Sequence, residues 1–512
     1  MMRLRTFVFA LALAAPVMAQ TTPARVSTAA AVPLSLQDAE RRAVDRNPGL
    51  AYARLGTEGA DFASAETRAA YSPTFVASLT ERSQTNPSTT QLSGGQTSVR
   101  SDAASYSTGV SQLVPWGGLV SLDFTGSRSA TSSIYSTYNP SFASAVAASI
   151  SQPLLRGLRF DATRAAIAQA DISRGIADVE LRQETATLLA GVRRAYWELV
   201  YTVDALATAQ RSEALAVRQR DDNQRRVDLG TVAPIDVLES EAEVASRHQA
   251  SVQAEGAWRD AQVALKALIV ANATDAVWKA TIVPTDRPAE SVRAIDLPQA
   301  ISKAVANRTD LDRARRVRQS SDVSLRLFDD QRKPAVDLVG GYTLSGIGGT
   351  QVLRSTTSLG SEVIGTVSGS YWDVLQSIGG LSYPTWTVGV SVTMPIGNRA
   401  ANARYAQADV ARKQVDAQLA SLELRVTAAV TRAAQQVRSA EEQVKAASAA
   451  RALAARRLEA EQARRDVGLS TTFFVLQAQR DLATAETNEL RAQLDYGTAL
   501  ADFDLAQEAP AT

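Results

Sequence analysis

Two short stretches hold the residues best placed to act. One runs Arg225-Arg226-Val227-Asp228-Leu229-Gly230-Thr231-Val232-Ala233-Pro234-Ile235-Asp236-Val237-Leu238-Glu239. The other runs Arg464-Arg465-Asp466-Val467-Gly468-Leu469-Ser470-Thr471-Thr472-Phe473-Phe474-Val475-Leu476-Gln477. Each reads as a helix released by a glycine, a brief polar turn, and an apolar pair that starts a return helix. The chemistry on offer is non-covalent. Asp236 and Glu239 can form ion pairs, Arg464 and Arg465 can answer a carboxylate, and Phe473 and Phe474 form an apolar pair. Catalysis has no comparable foothold. The single histidine, His248, lies on a polar helix where solvation is its ordinary fate. There is no cysteine, glycine-rich phosphate loop, serine elbow or clustered metal-ligand set, so no enzyme, cofactor or metal site is expected.

These turns are two instances of one plan. Ala168-Gln169-Ala170-Asp171 recurs as Ala406-Gln407-Ala408-Asp409, and at the same shift of about 238 positions Val192 falls on Val430, Arg194 on Arg432, Gly230 on Gly468 and Val237-Leu238 on Val475-Leu476. One extra helical residue would rotate every later side chain by about a hundred degrees, so a register held this long means duplication. Upstream the shift is about 261, with Leu36 on Leu297, Ala39 on Ala300 and Pro73 on Pro334. The copies therefore differ by an insertion of about 23 residues between Pro73 and Ala168.

The elements that carry the turns are long. From about 161 to 228 and from about 400 to 466 no proline interrupts a helical pattern, and each rod would run about 100 Å. Val430, Val437 and Val444 mark one seam position and Ala433, Ala440, Ala447 and Ala454 the other, with Arg451 breaking the first series. Helical segments also precede Pro73 and Pro334, the first with Pro48 in a first turn. After those prolines the period drops to two. Trp386, Val388, Val390, Val392 and Met394 alternate with small polar residues, Val336, Leu338, Tyr342 and Leu344 form a partner strand, and Phe75, Ala77, Leu79 and Val146, Ala148, Ile150 repeat the pattern in the first copy. The insertion adds Val120, Leu122 and Phe124 behind a Pro115-Trp116-Gly117-Gly118 turn. One apolar and one small polar face suits a strand between lipid and water, and equally a soluble antiparallel sheet. Because both flanks of each strand block are helices on one side, each block crosses an even number of times: two in the second copy, and two or four in the first.

The N-terminus carries Arg3 and Arg5, an apolar run from Phe7 to Pro16, and small residues before Gln20, which is read as a signal peptide at 1–19 cleaved after Ala19; with no cysteine there, no lipid anchor is expected. That run is too short to span a bilayer. A net charge of +1 counts against a nucleic-acid partner.

Taken together, the glycine tips, the Gln152-Pro153-Leu154-Leu155-Arg156-Gly157 transition matched by Met394-Pro395-Ile396-Gly397, and the duplication resemble the TolC family of outer-membrane efflux proteins over nearly the whole mature chain. The resemblance implies a mainly α fold with membrane β: a homotrimer whose long helices form a periplasmic α-barrel topped by a transmembrane antiparallel β-barrel, two strands per repeat and possibly four in the first. It divides the chain into a periplasmic N-terminal segment (20–34), repeat 1 (35–270, strands about 73–155, tip near 230), an equatorial linker (271–296), repeat 2 (297–508, strands about 334–396, tip near 468) and a tail (509–512). The implied partners are outer-membrane lipid, a periplasmic membrane-fusion adaptor and an inner-membrane pump. The implied function is an exit duct for efflux; type I protein secretion and, outside channels, a secreted coiled-coil scaffold are the rival readings.

For the tips, the family carries acidic residues in the second copy, where this chain has Phe474 and Gln477, the equivalents of Asp236 and Glu239. The expectation is an aperture formed by Asp236, Glu239, Phe473, Phe474 and Gln477 and narrowed by the aromatics, which oppose wetting; packing between helices is the alternative. The family links a first-copy aspartate to a base two places after the second glycine. That place is Ser470, so Asp236 would have to find Arg464 or Arg465, or nothing. Gly230, Val237, Leu238, Gly468, Val475 and Leu476 are candidates for docking the adaptor, with burial inside the helix pair as the alternative.

Overall fold

The computed structural model describes residues 31–88, 96–230, 233–287, 293–355, 362–467 and 469–509. The signal peptide expected at 1–19, most of the segment 20–34, Gly468 and the end of the tail lie outside them. The first copy runs β1 (Ala31–Leu34), α1 (Leu36–Arg46), α2 (Pro48–Arg68), strands β2 (Thr74–Pro87), β3 (Ser98–Leu113), β4 (Leu119–Thr131) and β5 (Tyr138–Pro153), then α3 (Ala162–Asp228) and α4 (Pro234–Ile269). A connector holds α5 (Ala276–Lys279) and β6 (Thr281–Pro284). The second copy follows with α6 (Leu297–Asn307), α7 (Thr309–Asp330), β7 (Ala335–Arg354), β8 (Val363–Val367), α8 (Tyr371–Gly379), β9 (Pro384–Thr393), α9 (Arg399–Asp466) and α10 (Thr472–Glu508).

At 67 and 68 residues, α3 and α9 are rods that no other helix here matches in length. Each is covered by two shorter helices laid end to end. Along α3 these are α2 and α4, and the joint is made by Asn47, whose side-chain oxygen caps α2 at Leu50 N while its amide donates to Leu268 O at 3.0 Å. Along α9 they are α7 and α10, joined where the buried Arg308 donates to Ala506 O at 2.9 Å. Asn47 and Arg308 are equivalent positions, as are Leu268 and Ala506, so the duplication preserves the joint while changing its donor. The seams are apolar: Val192, Leu199, Leu265 and Ile269 bury around the first joint, and Val426, Val430, Val437 and Phe503 around the second. Arg451, which breaks the valine series, pairs with Glu489 of α10 at 2.7 Å.

The sheet is antiparallel, ordered β2-β3-β4-β5-β7, with β8 on the upper part of β7 and β9 on the lower. The first copy thus contributes four strands, and the insertion forms the β3–β4 hairpin, turned tightly at Val114–Gly118 with Gly117 at φ 89°. Register aligns the expected apolar positions on one face, since Val110 meets Leu122, Leu122 meets Ala148, Ala148 meets Tyr342, and Tyr342 meets Trp386. The other face carries Gly109, Asp123, Ala147, Thr343 and Thr385, paired in the same way across the strands. One feature lay hidden in what reads as a polar loop: α8, whose Val374 and Ile378 are buried and which rests on the apolar face over Gly346 and Gly348. A capping box at Ser370 and Asp373 starts it. Both exits from sheet to rod use a left-handed glycine, Gly157 (φ 82°) and Gly397 (φ 79°), a conformation that a Cβ would strain.

Beside the first joint, β1 and β6 pair in parallel. Tyr196 of α3 locks them. Fully buried, its hydroxyl donates to Leu34 O at 2.9 Å and accepts from Thr285 N at 3.1 Å and Asp286 N at 3.0 Å. Tyr196→Phe removes the oxygen and leaves two backbone N–H groups without that acceptor, a cost of about 1–3 kcal/mol. The expected result is a lower thermal midpoint together with faster proteolysis between β6 and α6; an unchanged midpoint and cleavage rate would show that the hydroxyl does not hold this region.

Candidate gating site at the helical tips

The two turns lie at the end of the rods remote from the sheet, because each rod leaves the sheet at its N-terminus and reverses at its C-terminus. Their internal clasps differ. In the first hairpin Asn223 of α3 and Ser240 of α4, both 1% exposed, bond at 2.7 Å, and Ser240 in turn donates to Asp236 O at 2.7 Å. The equivalents in the second hairpin are Glu461 and Ala478, which cannot repeat that bond. There Glu461 instead accepts from Ser470 Oγ at 2.8 Å and pairs with Arg464 at 3.0 Å.

The alternatives for Asp236 were Arg464, Arg465 or no partner, and among the described contacts neither arginine meets it. Arg464 is engaged within its own hairpin by Glu461, Arg465 reaches Gln219 of α3 at 3.5 Å, and no described hydrogen bond or ion pair joins either to Asp236, which is half-buried. The hairpins are tied instead by Glu243 of α4, 5% exposed, which accepts from Arg480 of α10 at 2.8 Å and from Arg247 of its own helix at 2.7 Å. Burial pushes the Glu243 carboxyl up, but the hydrogen bonds from Arg480 and Arg247 outweigh it and hold the group below its ordinary range. The single histidine, His248, is exposed and paired with Glu213 at 2.7 Å.

The apolar tip residues divide in two. Val475 and Leu476 are 1% and 4% exposed, so packing inside the helix pair removes them from the surface that docking would need. Leu238 remains 61% exposed, Val237 is half-buried, and Gly230 is exposed with a left-handed φ of 72°. Phe473 and Phe474 are each about half exposed and meet edge to face, ring centroids 5.6 Å apart. They are therefore not packed away between the helices of their own chain. Gln477 bonds Asp481 at 2.9 Å, and Glu239 is exposed. Leu229, Ile235, Val467 and Leu469 are also largely exposed, so the tip is a more continuous apolar surface than the motif alone indicates.

Comparison with known proteins agrees with this architecture. The family model described as outer membrane efflux protein matches residues 41–270 and 300–506. No curated protein matches the chain. Among solved structures, the Neisseria gonorrhoeae MtrE outer membrane channel in its open state is 19% identical with a TM-score of 0.60, covering 93% of this chain and 89% of its own. The outer membrane protein VceC of Vibrio cholerae is 14% identical (TM-score 0.63; 92% and 96% covered), as is the Campylobacter jejuni CmeC outer membrane channel (TM-score 0.63; 92% and 85% covered).

Two outcomes are expected at the tips. Phe474→Ala raises single-channel conductance in planar bilayers several-fold if the aromatic pair narrows the aperture, whereas conductance equal to the parent's removes the aromatic constriction. For Glu243, the depressed carboxyl contributes above its unfolded value of about 4.3 and loses that contribution as pH falls through the lower folded value. The α4–α10 tie should therefore persist at neutral pH and release only once the pH has fallen below the ordinary carboxyl range. An acid-induced rise in conductance, absent in Glu243→Gln, is the expected record.

Proposed function

The chain belongs to the outer membrane efflux protein family, and from that premise we propose that three copies form one exit duct, which receives substrate from an inner-membrane pump through a periplasmic adaptor. The observation that carries this reading is the polarity of the chain: all crossing strands lie at one end of two rods of about 100 Å, and both tips lie at the other. A duct that bridges periplasm and outer membrane needs that arrangement. A secreted scaffold would cover the apolar face of its sheet, whereas Leu79, Trp386 and Val388 are exposed. Two similar hairpins per chain let a trimer present six tips, a match for a ring of adaptor hairpins.

In this reading Phe473 and Phe474 narrow the resting aperture, and Asp236, Glu239 and Gln477 line its polar rim. The Glu243–Arg480 pair holds adjacent hairpins together in the resting state, so opening requires its separation. Leu238 with Gly230 forms the adaptor-facing surface, extended by Leu229 and Leu469.

Site-specific photocross-linking in the native host tests this. Probes at Leu229 and Leu238 should capture one periplasmic adaptor, while a probe at the buried Val475 should not. Capture at none of these positions, with the protein still in the outer membrane, would contradict tip docking.

A further inference from the structure

The sheet ends in two edges for which the described residues supply no partner. All 14 residues of β2 bond only to β3, and all 10 of β9 only to β7. Both strands are almost wholly exposed, including Phe75, Leu79, Trp386 and Val388. Such edges cannot rest in hydrocarbon, where each unpaired N–H and C=O costs several kcal/mol. Nor can the sheet close on itself. Beyond β8, which only extends the upper margin of β7, it has six full strands, and outer-membrane barrels begin at about 8.

We propose that β2 of one copy pairs with β9 of the next, so that three copies close an eighteen-stranded barrel. The count of three rests on the trimeric duct proposed above; the six strands per copy are read from the sheet itself. Three features make the edges complementary. The strands alternate in direction, so β2 and β9 run antiparallel, as closure requires. Their faces continue one another: Phe75, Ala77 and Leu79 share the apolar face with Trp386, Val388 and Val390, while Ser78 and Thr387 share the small polar face. Pairing that keeps the faces aligned sets an even-numbered β9 residue opposite an odd-numbered β2 residue. Finally, β9 without any help from β8 reaches the roughly 9–11 residues that a tilted strand needs to cross, and residues 368–383, with α8, loop out onto the apolar face above it.

The β3–β4 hairpin supplies the difference. Without it three copies would contribute twelve strands. With it the barrel enters the range of about 16–18 strands that leaves an aqueous channel. The wall facing that channel is largely Ser, Thr, Ala and Gly, with Arg82, Asp123 and Asp337 among them, so the exit admits bulky passengers, and resistance to flow falls at the tips.

The absence of native cysteine makes the test clean. Ser78→Cys is combined in turn with Thr385→Cys, Thr387→Cys and Ser391→Cys, oxidised in membranes, and run on denaturing gels. At least one pair should yield covalent oligomers up to trimer that collapse on reduction. Leu79→Cys with Thr387→Cys, on opposite faces, should not. Tyr135→Cys, between β4 and β5, should react with an impermeant maleimide on intact cells, as four crossings in the first copy demand. Trimers by native mass spectrometry without any cross-link, or Tyr135→Cys labelled only after the outer membrane is permeabilised, would overturn the eighteen-stranded closure while leaving the trimeric duct in place. A protein that is monomeric by mass would withdraw the trimeric reading and this closure together.

Discussion

A helix of about 100 Å with an apolar seam must be covered along its whole length, and none of the helices packed end to end on either rod is long enough to do it singly. End-to-end stacking of two shorter helices is the solution, and its weak point is the joint, where backbone groups at two helix ends would otherwise face each other unpaired. Asn47 and Arg308 close those joints by bonding to Leu268 O and Ala506 O. The rest of the molecule is arranged around them. The first core, the β1–β6 pair and Tyr196 all gather at the first joint, so the thickest packing sits where the rod is least continuous. Sheet and tips then occupy opposite ends by default.

Duplication makes such a rod inexpensive to encode, and divergence gives it function. The two copies agree in helix register and in the position of the joints, yet differ in strand number and in the way each tip is clasped. A buried neutral bond between Asn223 and Ser240 holds one hairpin rigidly, whereas Glu461 holds the other through more exposed partners. The aromatic pair stands on the hairpin with the more exposed clasp.

Much of this was legible in the residues. Side-chain register over the rods, the alternation in Trp386–Met394 and the glycine at each tip are local or periodic signals, and they place the helices, the strands and the reversals. Contacts between residues far apart in sequence left no periodic trace. Glu243 and Arg480 look like two more charges on polar helices until the fold brings them together. Whether Val475 and Leu476 would be buried or free to dock stayed open for the same reason: the motif resembles its counterpart at Val237-Leu238, but the surrounding helices do not. Helix α8 was hidden because Tyr371–Gly379 is shorter than three helical turns and lies among glycines and serines.

Electron cryomicroscopy of the purified protein in lipid tests the central claim most directly, namely that duplicated rods and the strand blocks at one end of them assemble into a single continuous tube. A three-fold particle is predicted, with a hollow helical cylinder about 100 Å long running into a closed β-barrel embedded in the bilayer. Single rods, or a solid helical bundle without a lumen, would contradict it.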